Sequence, residues 1–167
     1  MQRRRLLKLG LGAAVVIGVA GAGIALIKPG LVDGKLSPGS RELMRAVAVA
    51  VLGDLLPAGA ARESALDAQL ARLDQAVASL PAAMRKELSD ALGLLATAAG
   101  RYTLVGLSRP WGEAGPADIR QALDAMRLSS SNTRQQIYHA LRDLNAIAFF
   151  TEPVNWQAAG YPGPRDI

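Results

Sequence analysis

The stretch from Leu43 to Leu56 reads LMRAVAVAVLGDLL and is apolar on almost every side. An α-helix without a polar face must be buried over most of its surface. We therefore expect this segment to form the central helix of a domain and to end at Pro57. Just upstream, Ser37 and Pro38 are residue types preferred at an N-cap and in a first helical turn.

Four further segments downstream are predicted to be helical, at about residues 64–80, 81–104, 117–127 and 129–150. In these segments apolar residues recur at spacings of three and four, which is typical of one helix face turned to a core. The predicted core positions are Leu66, Leu70, Leu73, Val77, Leu80, Met84, Leu88, Ala91, Leu92, Leu95, Ile137, Leu141, Leu144 and Ala148. Since no alternating pattern of useful strand length appears, the sequence predicts an all-α fold, a bundle of about five helices.

The composition excludes several kinds of site. The 167 residues contain no cysteine and one histidine, His139, which excludes disulfides, thiolate clusters, a cysteine nucleophile and metal sites with two imidazoles. The net charge is +5, from 19 basic and 14 acidic residues. Four of the basic residues lie in the first eight, so the rest of the chain has 15 against 14 and is nearly neutral. We therefore expect no nucleic-acid binding.

The N-terminus has the layout of an export signal. The basic segment MQRRRLLK precedes nineteen uncharged residues, 9–27, as in a leader with a cationic and an apolar region. The basic segment resembles the twin-arginine motif, which directs folded proteins across the bacterial inner membrane. The residues predicted for recognition by the translocase are Arg3, Arg4, Leu6, Leu7 and Lys8. Ala20 and Ala22 resemble a cleavage site, and cutting there leaves Gly23 as the new N-terminus.

A second interpretation of residues 9–27 is a retained membrane anchor. Nineteen helical residues span about 28 Å, just enough to cross a bilayer core. Five glycines in the stretch reduce its apolar bulk and favour a leader that is removed. In both cases the basic end stays in the cytoplasm, and we expect the body in the periplasm, free or anchored in the inner membrane.

The remaining chain is predicted to comprise a linker at 28–39, a helical domain at 40–150 and an extended tail at 151–167. The tail is expected not to be helical after Pro153. Four of the seven aromatic residues lie between Phe149 and Tyr161, and Trp and Tyr are common interface anchors. The tail is expected either to fold back on its own bundle or to dock on a partner, and both can hold.

No arrangement of residues predicts catalysis by this chain. His139 has Asp143 four residues later, which suits a pair on a helix surface. The serines 129–131 suit an N-cap better than a nucleophile, because no G-x-S-x-G motif surrounds them. An enzyme of this size would need a buried acid with a perturbed pKa, such as Glu87 or Glu113. We therefore predict no catalytic, cofactor-binding or metal site.

The C-terminal sequence W-x4-Y-P-G-P, residues 156–164, resembles a known family. Together with the twin-arginine leader, Arg109-Pro110-Trp111 and residues 123–129, it is similar to the gluconate 2-dehydrogenase subunit 3-like small subunits of bacterial glucose–methanol–choline-type flavin dehydrogenases. The resemblance implies a periplasmic complex in which a large subunit carries FAD and oxidises an alcohol or sugar. The small subunit then binds the flavoprotein and supplies the leader for its export; a cytochrome c subunit stays open as a third partner.

The resemblance and the aromatic tail together predict which residues dock on the flavoprotein: Trp111, Phe150, Trp156, Tyr161, Pro162, Gly163 and Pro164. Two other functions remain open. The chain could be a membrane-tethered periplasmic helical domain that binds a small molecule or another protein, with an uncut leader and an apolar pocket. It could also be a small periplasmic enzyme, with a buried acid as described above.

Overall fold

The computed structural model of the protein describes residues 27–158 and 160–163. The predicted translocase and cleavage residues (Arg3, Arg4, Leu6, Leu7, Lys8, Ala20 and Ala22) lie outside this range, as does Pro164. The described elements are β1 (Leu31–Val32), β2 (Lys35–Leu36), α1 (Pro38–Leu52), α2 (Ala61–Ala78), α3 (Ala82–Ala96), α4 (Ala98–Gly100), α5 (Pro116–Arg127), α6 (Asn132–Phe150) and α7 (Val154–Ala158). The all-α prediction is confirmed, with one small antiparallel hairpin, β1–β2, added.

Helix α1 is the central helix of the bundle. It packs against α2, α3, α5 and α6, and its Leu43 and Val47 are fully buried. The side chain of Ser37 accepts a hydrogen bond from the backbone N–H of Ser40, so the predicted N-cap is confirmed. The helix ends at Leu52, four residues before the predicted end, and a short 3-10 turn follows it.

The apolar stripes predicted for the other long helices face the core. The buried members are Leu66, Leu70, Leu73, Val77, Ala91, Leu92, Leu95, Ile137, Leu141 and Ala148. The half-buried members are Leu80, Met84, Leu88 and Leu144, which lie at the margins of the bundle. Periodicity therefore identified the core faces of α2, α3 and α6.

A buried polar network joins α2 to α6. The Gln69 side-chain amide donates to the backbone carbonyl of Asn145 at 2.8 Å. The Asn145 side-chain amide donates to the backbone carbonyl of Leu141, one turn earlier in α6, at 3.0 Å. Arg72 Nε donates to the Ala148 carbonyl at 2.8 Å. Buried polar groups are costly unless they are hydrogen-bonded. The bonds from Gln69 and Arg72 to α6 therefore help to fix the relative placement of the two helices, in addition to their apolar packing.

The third predicted helix, 81–104, is not continuous but is broken at Thr97. Thr97 interrupts it, because its hydroxyl accepts from the Gly100 N–H and caps a new short helix, α4. A π-helical turn follows at Arg101–Val105, and Gly106 ends it in the left-handed conformation with φ +85°. Glycine adopts that conformation without steric cost, so the chain turns here into the loop that leads to α5.

The predicted linker, residues 28–39, is instead folded onto α3. Gly30 N donates to the Ser89 carbonyl at 2.9 Å, and Leu31 N donates to the Ser89 hydroxyl at 3.0 Å. A Cβ atom at Gly30 would lie 2.6 Å from the Gly93 nitrogen, so the backbones meet only because both residues are glycine. We call this contact of Gly30 with Ser89 and Gly93 the N-terminal clasp.

The tail is helical after Pro153, contrary to the prediction. Residues Val154–Ala158 form the short helix α7, in which Pro153 precedes the first residue. Proline lacks an N–H but is tolerated just before or within a first turn, where that donor has no helical partner. The chain therefore reverses direction after α6 instead of extending away from the bundle.

Over the part of the chain that is described, no helix combines the length and the apolar character needed to cross a membrane.

Candidate interaction site at the end of the last long helix

The aromatic tail folds back on the C-terminal end of α6. The indole Nε1 of Trp156 donates to the Phe150 carbonyl at 2.8 Å. The ring of Tyr161 lies against the indole, with 5.7 Å between ring centroids, and Tyr161 N donates to the Trp156 carbonyl at 2.9 Å. Phe150, Trp156 and Tyr161, which the sequence predicts as docking residues, are therefore brought together at one place.

The folded-back tail leaves several large apolar side chains at this end of α6 exposed. Trp156 is half-buried, whereas the neighbouring large apolar side chains are exposed to between 38% and 75%. These exposed side chains, which we call the C-terminal patch, are Ile147, Phe150, Val154 and Tyr161. Exposed apolar residues that lie close together are typical of interaction sites, whereas isolated ones are ordinary.

Sequence reasoning missed two members of the patch. Ile147 lies three residues before Phe150 and shares its face of α6, and Val154 opens the unexpected helix α7. The spacing of Ile147 could have been recognised, because it lies off the stripe of Ile137, Leu141 and Ala148. Val154 gave no such signal, since the tail was expected to be extended.

Of the other predicted tail residues that the structure describes, Gly163 lies beside the indole. Pro162 is exposed and Gly163 is half-buried, with φ +94°. A Cβ atom at Gly163 would lie 3.7 Å from the indole ring of Trp156. The tail thus curls around Trp156, and glycine supplies the left-handed backbone that this curl requires.

The prediction that Trp111 docks on a partner has to be corrected, because this residue belongs to the core. Its side chain is 3% exposed, and its Nε1 donates to the Leu95 carbonyl at 2.9 Å. A buried indole whose N–H is already paired stabilises the bundle and has no surface to offer a partner. The resemblance in Arg109-Pro110-Trp111 therefore falls on a structural residue.

The polar side chains one and two turns before the patch form a local network on α6. Arg142 donates to the Asp143 carboxylate at 2.8 Å, and its guanidinium lies 5.6 Å from the centre of the Tyr138 ring. The hydrogen bond to Asp143 raises the pKa of the Arg142 guanidinium above its ordinary value. Asp143 therefore pairs with Arg142, while the predicted surface position of His139 is confirmed by its exposure.

The two acids named for a possible enzymatic role lie at the surface. Glu87 and Glu113 are exposed, so the burial that an enzymatic role would need is not found. Ser131 caps α6, with its side chain accepting from the Arg134 N–H, which confirms the capping role predicted for the serine run. Within residues 27–158 and 160–163, no three histidine or acidic side chains lie close enough to hold a metal ion.

Comparison of the chain with protein-family models, with curated proteins and with solved structures gives no match.

Proposed function

We propose that this chain is a non-catalytic auxiliary subunit of a periplasmic FAD-dependent alcohol or sugar dehydrogenase. It binds the flavoprotein subunit, which carries the FAD, and supplies the twin-arginine signal for export of the folded pair. The N-terminal motif R-R-x-L-L-K and the C-terminal W-x4-Y-P-G-P are the sequence features that support this function. No cofactor is assigned to this chain.

The structural observation that carries the proposal is the C-terminal patch. Phe150 and Tyr161 remain exposed although Trp156 is hydrogen-bonded to the Phe150 carbonyl and lies against the Tyr161 ring. Since the tail is held in place by the indole hydrogen bond, a partner meets an ordered surface and loses little entropy in binding it. Apolar and aromatic residues of this kind supply most of the binding energy in protein interfaces.

The export part of the proposal is tested by replacing Arg3→Lys and Arg4→Lys together in the native host. Lysine keeps the charge of the leader, but it lacks the guanidinium of arginine. We expect both this chain and the flavoprotein to stay in the cytoplasmic fraction. The matched control is Arg5→Lys, outside the predicted pair, which should leave export intact. A flavoprotein that still reaches the periplasm in the double variant contradicts the carrier role.

The docking part is tested by purifying the tagged full-length chain and measuring the flavin absorbance of what accompanies it. We expect Phe150→Ala with Tyr161→Ala to weaken the complex by at least about 2 kcal/mol, roughly 30-fold in Kd. Leu128→Ala is the matched control, because Leu128 is an exposed leucine at the end of α5, outside the patch. Equal recovery of flavin with both variants contradicts docking through the patch.

The alternative, a membrane-tethered periplasmic domain, is favoured by one observation. The chain already packs on α3 at Lys28 and Gly30, within three residues of the apolar stretch, so a retained leader would hold the domain close to the membrane without a long spacer. The intact mass of the chain isolated from membranes separates the two functions. A full-length mass with no flavin-containing companion supports the tethered domain, whereas an N-terminus at Gly23 with a bound flavoprotein supports the carrier.

A further inference from the structure

Arg101 is a buried cation without an acidic partner among the described residues. It opens the π-helical turn Arg101–Val105 and is 8% exposed. Its Nη2 reaches the Ser108 carbonyl at 3.5 Å, the outer limit of a hydrogen bond, and its Nε has no partner within the described chain. A buried guanidinium in this state is costly, because most of its lost hydration is not replaced.

A second guanidinium reaches the same loop from another helix. Arg134 lies in the first turn of α6, and its Nη2 donates to the Val105 carbonyl at 3.4 Å. Its Nε is also buried and unpaired among the described residues. The two arginines therefore approach the four residues 105–108 from two elements, one from the π-helical turn and one from the start of α6.

A third arginine lies in the same loop, and no ion pair among the described residues neutralises any of the three. Arg109, in the same loop, is exposed. The ion pairs formed inside the described ranges include none with Arg101, Arg109 or Arg134. By contrast, Arg41 and Arg45 on α1 are both paired with carboxylates. Other exposed arginines, such as Arg120, also lack an ion pair, but Arg101 and Arg134 differ from them because each has a buried Nε without a partner among the described residues.

We propose that Arg101 and Arg134 form a binding site for a carboxylate group. A guanidinium presents its N–H donors in a plane, and two of them match the two oxygens of one carboxylate. A bound carboxylate accepts from the two Nη2 groups, which otherwise have only loop carbonyls at 3.4 to 3.5 Å. It also supplies a negative charge to two cations that have no ion-pair partner among the described residues. The carboxylate comes either from a small organic acid or from a Glu or Asp side chain of a bound protein.

The test observes the arginine side chains directly, in the full-length chain. Nitrogen-15 spectra of the Nε–H groups are recorded while sodium acetate, or sodium chloride at equal ionic strength, is added. We expect the Arg101 and Arg134 signals, assigned from Arg101→Lys and Arg134→Lys, to shift saturably with acetate alone. The control signal is that of Arg120, which lies exposed on α5. Equal, unsaturable shifts of all three signals in both salts overturn the proposal.

A variant gives the second readout. Arg134→Lys keeps the charge but loses the planar pair of donors, so we expect acetate to bind about tenfold more weakly. Arg120→Lys should bind acetate as the wild type does. Arg134 is only half-buried, so we expect Arg134→Lys to fold even if Arg101→Lys does not. Circular dichroism checks the folding of each variant. An unchanged acetate affinity in a folded Arg134→Lys variant overturns the assignment.

Two further probes distinguish the source of the carboxylate. A blocked triglutamate peptide that binds more tightly than acetate, while triglutamine does not bind, assigns the site to a protein side chain. Acetate that binds as tightly as the peptide assigns it to a small acid. Inorganic phosphate that shifts both signals when neither carboxylate does overturns the carboxylate chemistry. These measurements do not use the leader or the C-terminal patch, so they are independent of the proposed function.

Discussion

The N-terminal clasp leads to a quantitative prediction for Gly30→Ala. The new methyl carbon would lie 2.5 Å from the Ser89 carbonyl oxygen and 2.6 Å from the Gly93 nitrogen, and neither backbone atom can rotate away. Ordinary contact begins near 3.4 Å, so the two segments must separate by about 0.9 Å. That separation breaks the hydrogen bonds from Gly30 N and Leu31 N to Ser89. At about 1 kcal/mol for each bond, we expect a loss of about 2 kcal/mol.

Gly93→Ala breaks the same clasp but differs in one respect. Its methyl carbon would lie 2.5 Å from the Lys28 carbonyl oxygen, so the same contact opens. Gly93 is inside helix α3, however, and alanine is better than glycine in a helix by about 1 kcal/mol. The net loss should therefore be only about 1 kcal/mol. In a chain that already carries Gly30→Ala, the clash is gone, and Gly93→Ala should stabilise.

The assay is urea-induced unfolding of the full-length chain, followed by circular dichroism and extrapolated to water. The control is Gly39→Ala in the first turn of α1, where the glycine penalty of a helix interior does not apply in full. The new methyl meets only the side chain of Ala96, at 3.3 Å, so we expect a change below about 0.5 kcal/mol. Two results would refute the reasoning. One is a Gly30→Ala variant as stable as the control, and the other is a double variant that loses the sum of the two single losses.

Three other predictions concern single buried or capping groups, each measured by the same unfolding experiment. Trp111→Phe should cost about 2 kcal/mol, because it removes the hydrogen bond to Leu95 and leaves space in the core; an unstable complex with the flavoprotein despite normal folding would restore the docking role. Gln69→Leu should cost about 1–3 kcal/mol, because the Asn145 backbone carbonyl loses the Gln69 donor and Arg72 loses the Gln69 acceptor, and a neutral effect would show that the hydrogen bonds of Gln69 add nothing to the packing of α2 on α6. Ser131→Ala should cost about 1 kcal/mol by removing the N-cap of α6; an unchanged midpoint would mean that the cap at this terminus is replaced by water.

The long helices were predictable because their chemistry is periodic. Leu66, Leu70, Leu73 and Val77 repeat at helical spacing, and all four are buried. The N-terminal end of α6 and its serine cap were also predictable, since an N-cap needs a small polar side chain just before an apolar periodic run. Periodicity of this kind is local, and it survives any arrangement of the helices around it.

Features set by tertiary contact were not predictable from such patterns. Gln69 is a polar residue at a core position, and only the meeting of α2 and α6 shows that its side-chain amide has a partner, the backbone carbonyl of Asn145. The residues of the predicted linker contain two Pro-Gly pairs and no apolar periodicity, which gave no sign of a contact with α3. They are ordered because Gly93, more than sixty residues later, leaves room for their backbone.

The candidate sites show the same division. The aromatic residues near the C-terminus, together with the family resemblance, predicted Phe150, Trp156 and Tyr161 as docking residues, and the folded tail brings them together. Trp111 was misassigned because a tryptophan in a loop sequence gives no sign of whether it points inward. Arg101 and Arg134 carried no motif at all, and only their shared loop and their buried, unpartnered Nε atoms single them out.

The hydrogen bonds of the clasp also have a consequence for the order of folding. Leu31 is held by Ser89, 58 residues later in the chain. During synthesis the N-terminus emerges first, and a contact that closes so long a loop forms after the local helices. Leu31 and Gly30 can therefore be fixed only once α3 has been made and has folded. The segment joining the apolar stretch to the body thus becomes rigid late, when the first half of the bundle is complete.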